Sequence, residues 1–227
     1  CNPDITLDLL PMIAKRRAAG ETILMVGQAH DDLPYMPGDA EIDRSAFDWL
    51  IDEPERSTLF STPNMPVGFQ DHFIGLHAST LVRDGGTLQI GIGSMGDALT
   101  AALLARQSDN EAYRALLTDL DAHYWAPLIS REGGVEPFAQ GLYGCSEMFV
   151  NGLLALSDAG IVRRKVYPSV ELQRQANAGT LDEANCQGGV SIHGGFFLGP
   201  RSFYQRLHEL PQSKLAEFNM TAISYIN

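Results

Sequence analysis

The chain has 227 residues and a formal net charge of −12, and 44% of its residues are hydrophobic. This balance argues against surfaces for nucleic acid or anionic membranes, because both need clustered Lys and Arg. Its apolar runs are shorter than the roughly 18 residues of a transmembrane helix, so we expect no membrane span. The length allows one large α/β domain or two smaller ones.

The first 70 residues predict a helix, a strand and a long connector. The first segment has helical spacing, and Pro11 restricts the helix to the second half of that segment. The connector is rich in proline and acidic residues, and long irregular segments of this kind often link domains. We therefore expect residues 1–70 to be the end of a preceding domain plus a connector. The individual predictions are a helix over 5–19, a strand over 22–26 and a helix over 45–51.

The rest of the chain, 71–227, alternates strands with helices. This order predicts an α/β domain with a mainly parallel sheet flanked by helices. The predicted strands are 87–92, 141–147, 190–198 and 221–226. The predicted helices are 71–83, 97–107, 110–123, 148–159 and 199–210, while 124–140 is predicted to be a loop and 171–185 a surface excursion.

Residues 86–104 combine an apolar strand, a loop with Gly91, Gly93 and Gly96, and a helix. The backbone N–H groups of such a loop and the helix dipole form an anion site. The pattern G-x-G-x-x-G is also typical of dinucleotide-binding loops. Such a loop is followed, about 20 residues later, by a second strand that ends in Asp or Glu. Here the window 110–121 has helical spacing, which weakens the dinucleotide interpretation. A tight strand–helix turn without a ligand is the third interpretation.

Glu147 is the second candidate for a functional residue. It follows the small residues Gly144, Cys145 and Ser146 and precedes a strongly apolar segment. This context places its carboxylate at the carboxyl end of a strand, where α/β sheets hold their ligands. A carboxylate there can act as base, acid or nucleophile. The structural alternative is a first-turn residue that interacts with the helix dipole.

Other candidate residues give less specific patterns. The three cysteines show no C-x-x-C pairing, which favours a reducing, cytoplasmic compartment and no zinc site. Cys145 and Cys186 have no histidine with a supporting acid nearby in sequence, which favours small buried side chains. His72 and His77 do not have the spacing of two helix ligands, so we expect no metal. The basic cluster Arg163, Arg164 and Lys165 is either a solvated edge or a contact for an anionic cofactor.

Three sequence blocks, in this order, resemble the acetyl-CoA hydrolase/CoA-transferase family, which includes acetate and 4-hydroxybutyrate CoA-transferases. The first, 84–98 (DGGTLQIGIGSMGDA), is similar to the coenzyme loop of that family. The second, 141–160, is similar to the segment that holds its catalytic glutamate in a Ser-Glu-Met-Phe context. The third comprises 194–207 and 220–227. The first two blocks together make the resemblance specific.

The resemblance implies a fold of the CoA-transferase type for a catalytic domain over 71–227. It implies coenzyme A, as acyl-CoA substrate, a small carboxylate as second substrate, and a homodimer as one possible assembly. Glu147 would be the nucleophile, forming a mixed anhydride and then a glutamyl-CoA thioester that a carboxylate or water resolves. The coenzyme-binding residues, which would also donate N–H groups to oxyanions, would be Gly91, Gly93, Ser94, Met95 and Gly96.

The chain also departs from the family pattern. Gly96 stands where the family usually has Pro, and an insertion, 107–139, separates the loop from Glu147. The chain has no starting Met, and a Gly-Gly-Gln block that the family places downstream is absent. We therefore expect a fragment of a longer protein, with its catalytic domain incomplete at the C-terminus. The alternatives are a nucleotide- or dinucleotide-binding domain and a catalytically silent module of the CoA-transferase fold.

Overall fold

The computed structural model describes residues 3–53, 59–61, 65–182, 186 and 188–222. The helices in these ranges are α1 (Pro3–Ala18), α2 (Phe69–Ser79), α3 (Ser94–Ser108), α4 (Asn110–Asp119), α5 (Ala126–Glu132), α6 (Asn151–Asp158), α7 (Val170–Asn177), α8 (Arg201–Glu209) and α9 (Gln212–Leu215). The strands are β1 (Val26–Gln28), β2 (Trp49–Ile51), β3 (Thr87–Leu88), β4 (Tyr143–Phe149), β5 (Ile192–Phe197) and β6 (Phe218–Met220).

The larger sheet contains four parallel strands in the order β3–β4–β5–β6. Its register pairs Thr87 with Tyr143, Cys145 with His193, and His193 with Asn219. Parallel neighbours need a crossover connection, and the helices α3 to α9 lie in these connections. β1 and β2 form a separate parallel pair. The predicted α/β class, with a mainly parallel sheet flanked by helices, is confirmed.

Aromatic rings form the centre of the main core. Phe149, at the end of β4, is fully buried, and its ring centroid lies 5.5 Å from that of Phe203 and 5.0 Å from that of Phe218. Burial of apolar surface contributes about 25 cal/mol per Å², and edge-to-face ring contacts add to it. Because Phe203 belongs to α8 and Phe218 to β6, these contacts fix the carboxyl end of β4.

Helix α3 packs at very short range against α2 and α6. A Cβ atom at Gly75 of α2 would lie 2.7 Å from the backbone of Ala98. A Cβ atom at Gly152 of α6 would lie 2.6 Å from Oγ1 of Thr100. Interiors packed this closely leave no room for an added methyl group without movement of the helices. The helix that follows the glycine loop is therefore held by two neighbouring helices.

The insertion folds into α4 and α5 and is joined firmly to α2 and α3. The guanidinium group of Arg106, at the end of α3, is buried and donates to the carbonyl oxygens of Ser79, Val82 and Glu136. The hydroxyl of Tyr113 on α4 lies 2.8 Å from Oγ of Ser79. These buried polar contacts make the insertion part of the folded unit.

The side chain of Asp84 connects the residues that precede β3 to the residues that precede β4. Its carboxylate accepts hydrogen bonds from the backbone N–H groups of Gly85, Ala139, Gln140 and Gly141. Burial alone would raise the pKa of Asp84, but these donors outweigh it, so the pKa lies below the usual range. This contribution to stability is complete above the ordinary carboxyl pKa and is lost as the pH falls through the lowered value.

The predicted helix over 5–19 is confirmed as α1, but three finer predictions for the first part of the chain are wrong. α1 is not restricted to the second half of its segment and continues through Pro11, because the helix is largely exposed and water can bind the carbonyl that proline leaves free. The predicted strand 22–26 overlaps β1 only at Val26, because β1 runs from Val26 to Gln28. The segment 45–51 contains the end of a short 3-10 helix (Arg44–Ala46) and then β2 instead of an α-helix, since the carboxylate of Asp48 accepts the N–H of Met25 at 2.7 Å and brings β2 to β1.

Later predictions are correct for most elements, but several bounds differ. The helices α2, α3, α4, α6 and α8 and the strand β5 occur where they were predicted, within a few residues. α5 lies in the predicted loop 124–140, because Pro127 occupies the first turn of a helix, where its missing N–H is not needed. α7 lies in the predicted excursion 171–185, with Ser169 as its N-cap. β6 precedes the predicted strand 221–226, of which 223–226 lie outside the described residues.

Candidate functional site

The glycine loop joins β3 to the N-terminus of α3. Gly93 is the N-cap residue of α3 and has a φ of +112°, a conformation that favours glycine. As a glycine it offers no side chain to accept the N–H groups of the first turn. Those N–H groups, of Ser94, Met95 and Gly96, have no acceptor within the helix. The loop therefore presents backbone donors together with the positive end of a 15-residue helix.

Gly96 makes the tightest contact within this loop. A Cβ atom at this position would lie 2.4 Å from the carbonyl oxygen of Gly91 and 3.1 Å from Cγ2 of Ile90. The acetyl-CoA hydrolase/CoA-transferase family, which the sequence resembles, usually has proline at this position. The Cβ of a proline would make the same close contact. Gly96 therefore allows the first turn of α3 to pack directly on the backbone of the loop.

We expect Gly96→Ala to lower the free energy of unfolding by about 1–3 kcal/mol, because the added Cβ must displace backbone atoms. Gly91→Ala is the matched control, since a Cβ atom at Gly91 meets nothing within 4 Å. Denaturant unfolding of both variants measures the difference. Equal stability of the two variants would contradict the close contact between Gly96 and Gly91.

Glu147 lies within β4, two residues before its end. The neighbouring residues Ser146 and Met148 pair with Gly194 and Phe196 of β5. The buried positions along this strand are 144, 146 and 149, so the alternation of burial shifts by one residue at Glu147. The side chain of Glu147 is exposed at this point. The interpretation of Glu147 as a first-turn helix residue is wrong, because α6 begins only at Asn151.

One buried hydrogen bond links the glycine loop to the strand of Glu147. Oγ of Ser146 donates to the carbonyl oxygen of Ile90 at 3.1 Å, and both residues are buried. Ile90 immediately precedes Gly91, and Ser146 immediately precedes Glu147. The bond therefore holds the two predicted functional segments side by side where β3 and β4 end. In parallel α/β sheets this is the edge that binds ligands.

A groove of about 410 Å³ lies at this edge of the sheet. Gly91 and Gly93 line it, whereas Ser94, Met95, Gly96 and Glu147 lie outside its lining. Its other walls come from α3, from the start of α6 and from the segment after β5. Polar side chains that the sequence analysis did not assign to a site also line it, namely Asp97, Thr100 and Asn151.

These polar residues have specific settings. Oγ1 of Thr100 donates to the carbonyl oxygen of Gly96, one turn earlier in α3, at 2.8 Å. Partial desolvation raises the pKa of Asp97 above the ordinary value. Asn151 is the first residue of α6 and the single polar residue in the run FVNGLL, and this interruption was the signal that could have identified it.

The strand register also brings together titratable side chains that are far apart in sequence. Cys145 lies opposite His193, and the hydroxyl of Tyr143 lies 2.7 Å from Nδ1 of His193. Burial, followed by the neighbouring Cys145 thiol, raises the pKa of Tyr143, and burial lowers the pKa of His193. The sequence analysis could not find this histidine beside Cys145, because the pairing depends on sheet register.

Within the described ranges, no group of three or more His, Cys, Asp or Glu side chains is arranged to hold a metal ion. His72 and His77 both lie on α2 and belong to no such group. In the same part of the chain, no helix combines the length and the apolar character needed to cross a membrane.

Comparisons with known proteins identify a shared fold. No protein-family model matches the sequence, and no curated protein matches it. RipA from Yersinia pestis is 16% identical with a TM-score of 0.54, and the match covers 89% of this chain and 34% of RipA. A single-residue variant of RipA gives 17% identity and a TM-score of 0.54, over 89% and 33% of the two chains.

A 4-hydroxybutyrate CoA-transferase from Porphyromonas gingivalis is 18% identical with a TM-score of 0.47, over 91% of this chain and 37% of the transferase. The chain thus spans about a third of the length of the solved structures that it matches. The similarity to RipA shows a common α/β fold.

Proposed function

We propose that this chain contributes the nucleophile and the coenzyme loop of an acyl-CoA transferase or hydrolase. The observation that carries this proposal is the hydrogen bond from Ser146 to Ile90, which joins the residue before the exposed Glu147 to the residue before Gly91. The same two segments are those in which the sequence resembles the acetyl-CoA hydrolase/CoA-transferase family. We also propose that 71–227 belongs to the catalytic domain and that 1–70 comprises the end of a preceding domain plus a connector.

In the proposed reaction, a carboxylate oxygen of Glu147 attacks the thioester carbonyl carbon of an acyl-CoA. The carbon–sulfur bond breaks, leaving a mixed anhydride on Glu147 and free CoA thiolate. The thiolate then attacks the glutamyl carbonyl, which releases the acyl group as a carboxylate and forms a glutamyl-CoA thioester. A second carboxylate reverses these two steps and leaves as a new acyl-CoA, whereas water hydrolyses the thioester and frees CoA.

Each addition passes through a tetrahedral oxyanion that needs preorganised hydrogen-bond donors. The proposed donors and coenzyme contacts are the backbone groups of Gly91, Gly93, Ser94, Met95 and Gly96. The N–H groups of Ser94, Met95 and Gly96 are available because the N-cap of α3 is a glycine and the helix supplies no acceptor for its first turn. Close packing of α3 against α2 and α6 holds these donors in place, so little reorganisation would accompany the reaction.

Covalent trapping tests the proposal. The protein is incubated with an acyl-CoA, and peptide mass spectrometry locates any adduct. We expect a CoA adduct on the peptide containing Glu147 and its removal by hydroxylamine, which cleaves thioesters. An unmodified Glu147, together with full turnover in Glu147→Gln, would reject the mechanism. Binding of CoA without any adduct or turnover would favour a catalytically silent module of the same fold.

A second candidate function is binding of a nucleotide or dinucleotide. One observation favours it. The strand β4 lies next to β3, which leads into the glycine loop, and carries the carboxylate of Glu147 near its end. In dinucleotide-binding folds, a carboxylate at this position binds the ribose. Against it, the chain enters α4 directly after α3, and Glu147 follows the loop at more than twice the usual spacing of about 20 residues. Tight NADH binding that Glu147→Gln weakens, with no CoA adduct, would favour this function.

A further inference from the structure

We propose that a basic pocket at the amino ends of β3 and β4 binds a phosphorylated small molecule. The pocket has a volume of about 590 Å³, and its lining includes Gly85, Gln140, Arg163, Arg164, Lys165 and Asn177. Gly85 and Gln140 precede β3 and β4, whereas the glycine loop follows β3. The pocket thus lies at the sheet edge opposite the groove, and the proposal is independent of the proposed function.

Arg164 has hydrogen-bonding capacity that the described residues do not use. Its Nη2 donates to the carbonyl oxygen of Gly86 and to Oγ1 of Thr87, at 3.2 and 3.1 Å. Its Nε is buried and has no partner among the described residues. Buried polar groups without partners are rare in folded proteins and often indicate a missing ligand or water. Both acceptors are neutral, and the guanidinium carbon lies 5.5 Å from the centroid of the Tyr143 ring, so these contacts bring no anion to the guanidinium charge.

The two neighbouring cations add to this positive charge. Arg163 donates to the carbonyl oxygens of Gly160, Phe138 and Ala139, which are also neutral acceptors. Lys165 lies 3.2 Å from Oε1 of Glu217, but that carboxylate is shared with a second ammonium group, that of Lys214, at 2.8 Å. In the part of the chain that the structure describes, neither guanidinium group has a carboxylate partner.

The chemistry of the pocket fits a phosphate group. Guanidinium groups match the geometry of phosphate oxygens, and a charge-assisted hydrogen bond is stronger than a neutral one. Three consecutive cations around one pocket are notable in a chain whose net charge is −12. The volume lies within the range of about 300–1,000 Å³ for small-molecule pockets, so it exceeds what a bare phosphate needs. The amide groups of Gln140 and Asn177 can contact the organic part.

Calorimetric titration with pyrophosphate at constant ionic strength tests this site. We expect Lys165→Gln and Arg164→Gln each to raise the dissociation constant about tenfold, because each removes a charged donor. Lys15→Gln is the matched control, since Lys15 is an exposed residue of α1 and the substitution changes the charge equally. Its dissociation constant should equal that of the unmodified protein.

Circular dichroism establishes that each variant is folded. Lys165→Gln decides the test if Arg164→Gln does not fold, because Glu217 keeps Lys214 as a partner when Lys165 is replaced. The proposal would be overturned if the unmodified protein does not bind millimolar pyrophosphate. It would also be overturned if Lys165→Gln binds as tightly as the unmodified protein, which would place the ligand elsewhere. Equal weakening in Lys15→Gln would show non-specific attraction and likewise overturn it.

Discussion

Glu147→Gln is expected to reduce acyl-CoA turnover by about 10³-fold or more. An amide cannot form the mixed anhydride or the glutamyl-CoA thioester, so the covalent route is closed and only binding and N–H donation remain. The effect should appear in kcat and kcat/KM together, since the lost interaction is made during the reaction and not in substrate binding. The free energy of unfolding should change little, because the side chain is exposed.

Steady-state kinetics and adduct formation are measured in parallel for three variants. Glu147→Asp keeps a carboxylate but withdraws it by one methylene group, so we expect partial activity and a slower adduct. Glu171→Gln is the control for loss of one exposed carboxylate, since Glu171 lies on α7 away from the groove, and its kinetics should match those of the unmodified protein. Full turnover in Glu147→Gln would contradict a nucleophilic role.

Local patterns were sufficient for the glycine loop and for the α/β class. The apolar strand, the glycines and the helix that begins near Gly93 are determined by residues close together in sequence, so their order could be predicted. The alternation of strands and helices then required parallel pairing. The start of α3 was placed three residues late because the first turn is capped by glycine and not by Asp97.

Tertiary pairing decided the elements that the sequence analysis missed. The apolar run after Glu147 suggested a helix from 148, but Met148 and Phe149 pair with β5 and extend β4. The neighbouring pair Cys145 and His193 exists only because of the register between β4 and β5. The groove also joins residues from three separate connections, so its polar lining could not be read from one segment.

The hydrogen bond between Ser146 and Ile90, which links the two predicted segments, has a direct physical cause. A buried hydroxyl needs a partner, and Oγ of Ser146 donates to the carbonyl of Ile90, which lies two residues beyond the end of β3. The bond therefore satisfies a buried polar group and also positions the residue after it. Small residues before Glu147 allow this approach of β4 to the loop.

Arg106→Leu is expected to lower the free energy of unfolding by about 2–4 kcal/mol. Arg106 is only 2% exposed, and its guanidinium group donates to three carbonyl oxygens and packs 4.2 Å above the ring of Phe138. Leucine fills part of the volume and avoids the cost of a buried charge. It removes the Arg106 donor from the carbonyl groups of Val82 and Glu136, and an unpaired buried acceptor costs more than its hydrogen bond contributes.

Arg114→Leu is the matched control for this substitution, because it makes the same change at an exposed arginine that also contacts Glu136. Arg114 forms a surface ion pair with the carboxylate of Glu136, and its side chain is 55% exposed. Exposed pairs contribute about 0–1 kcal/mol, so we expect a change within that range. Urea unfolding of both variants, with equal m-values, gives the comparison. Equal stability of the two variants would show that the insertion does not depend on Arg106 for its attachment to α2 and α3.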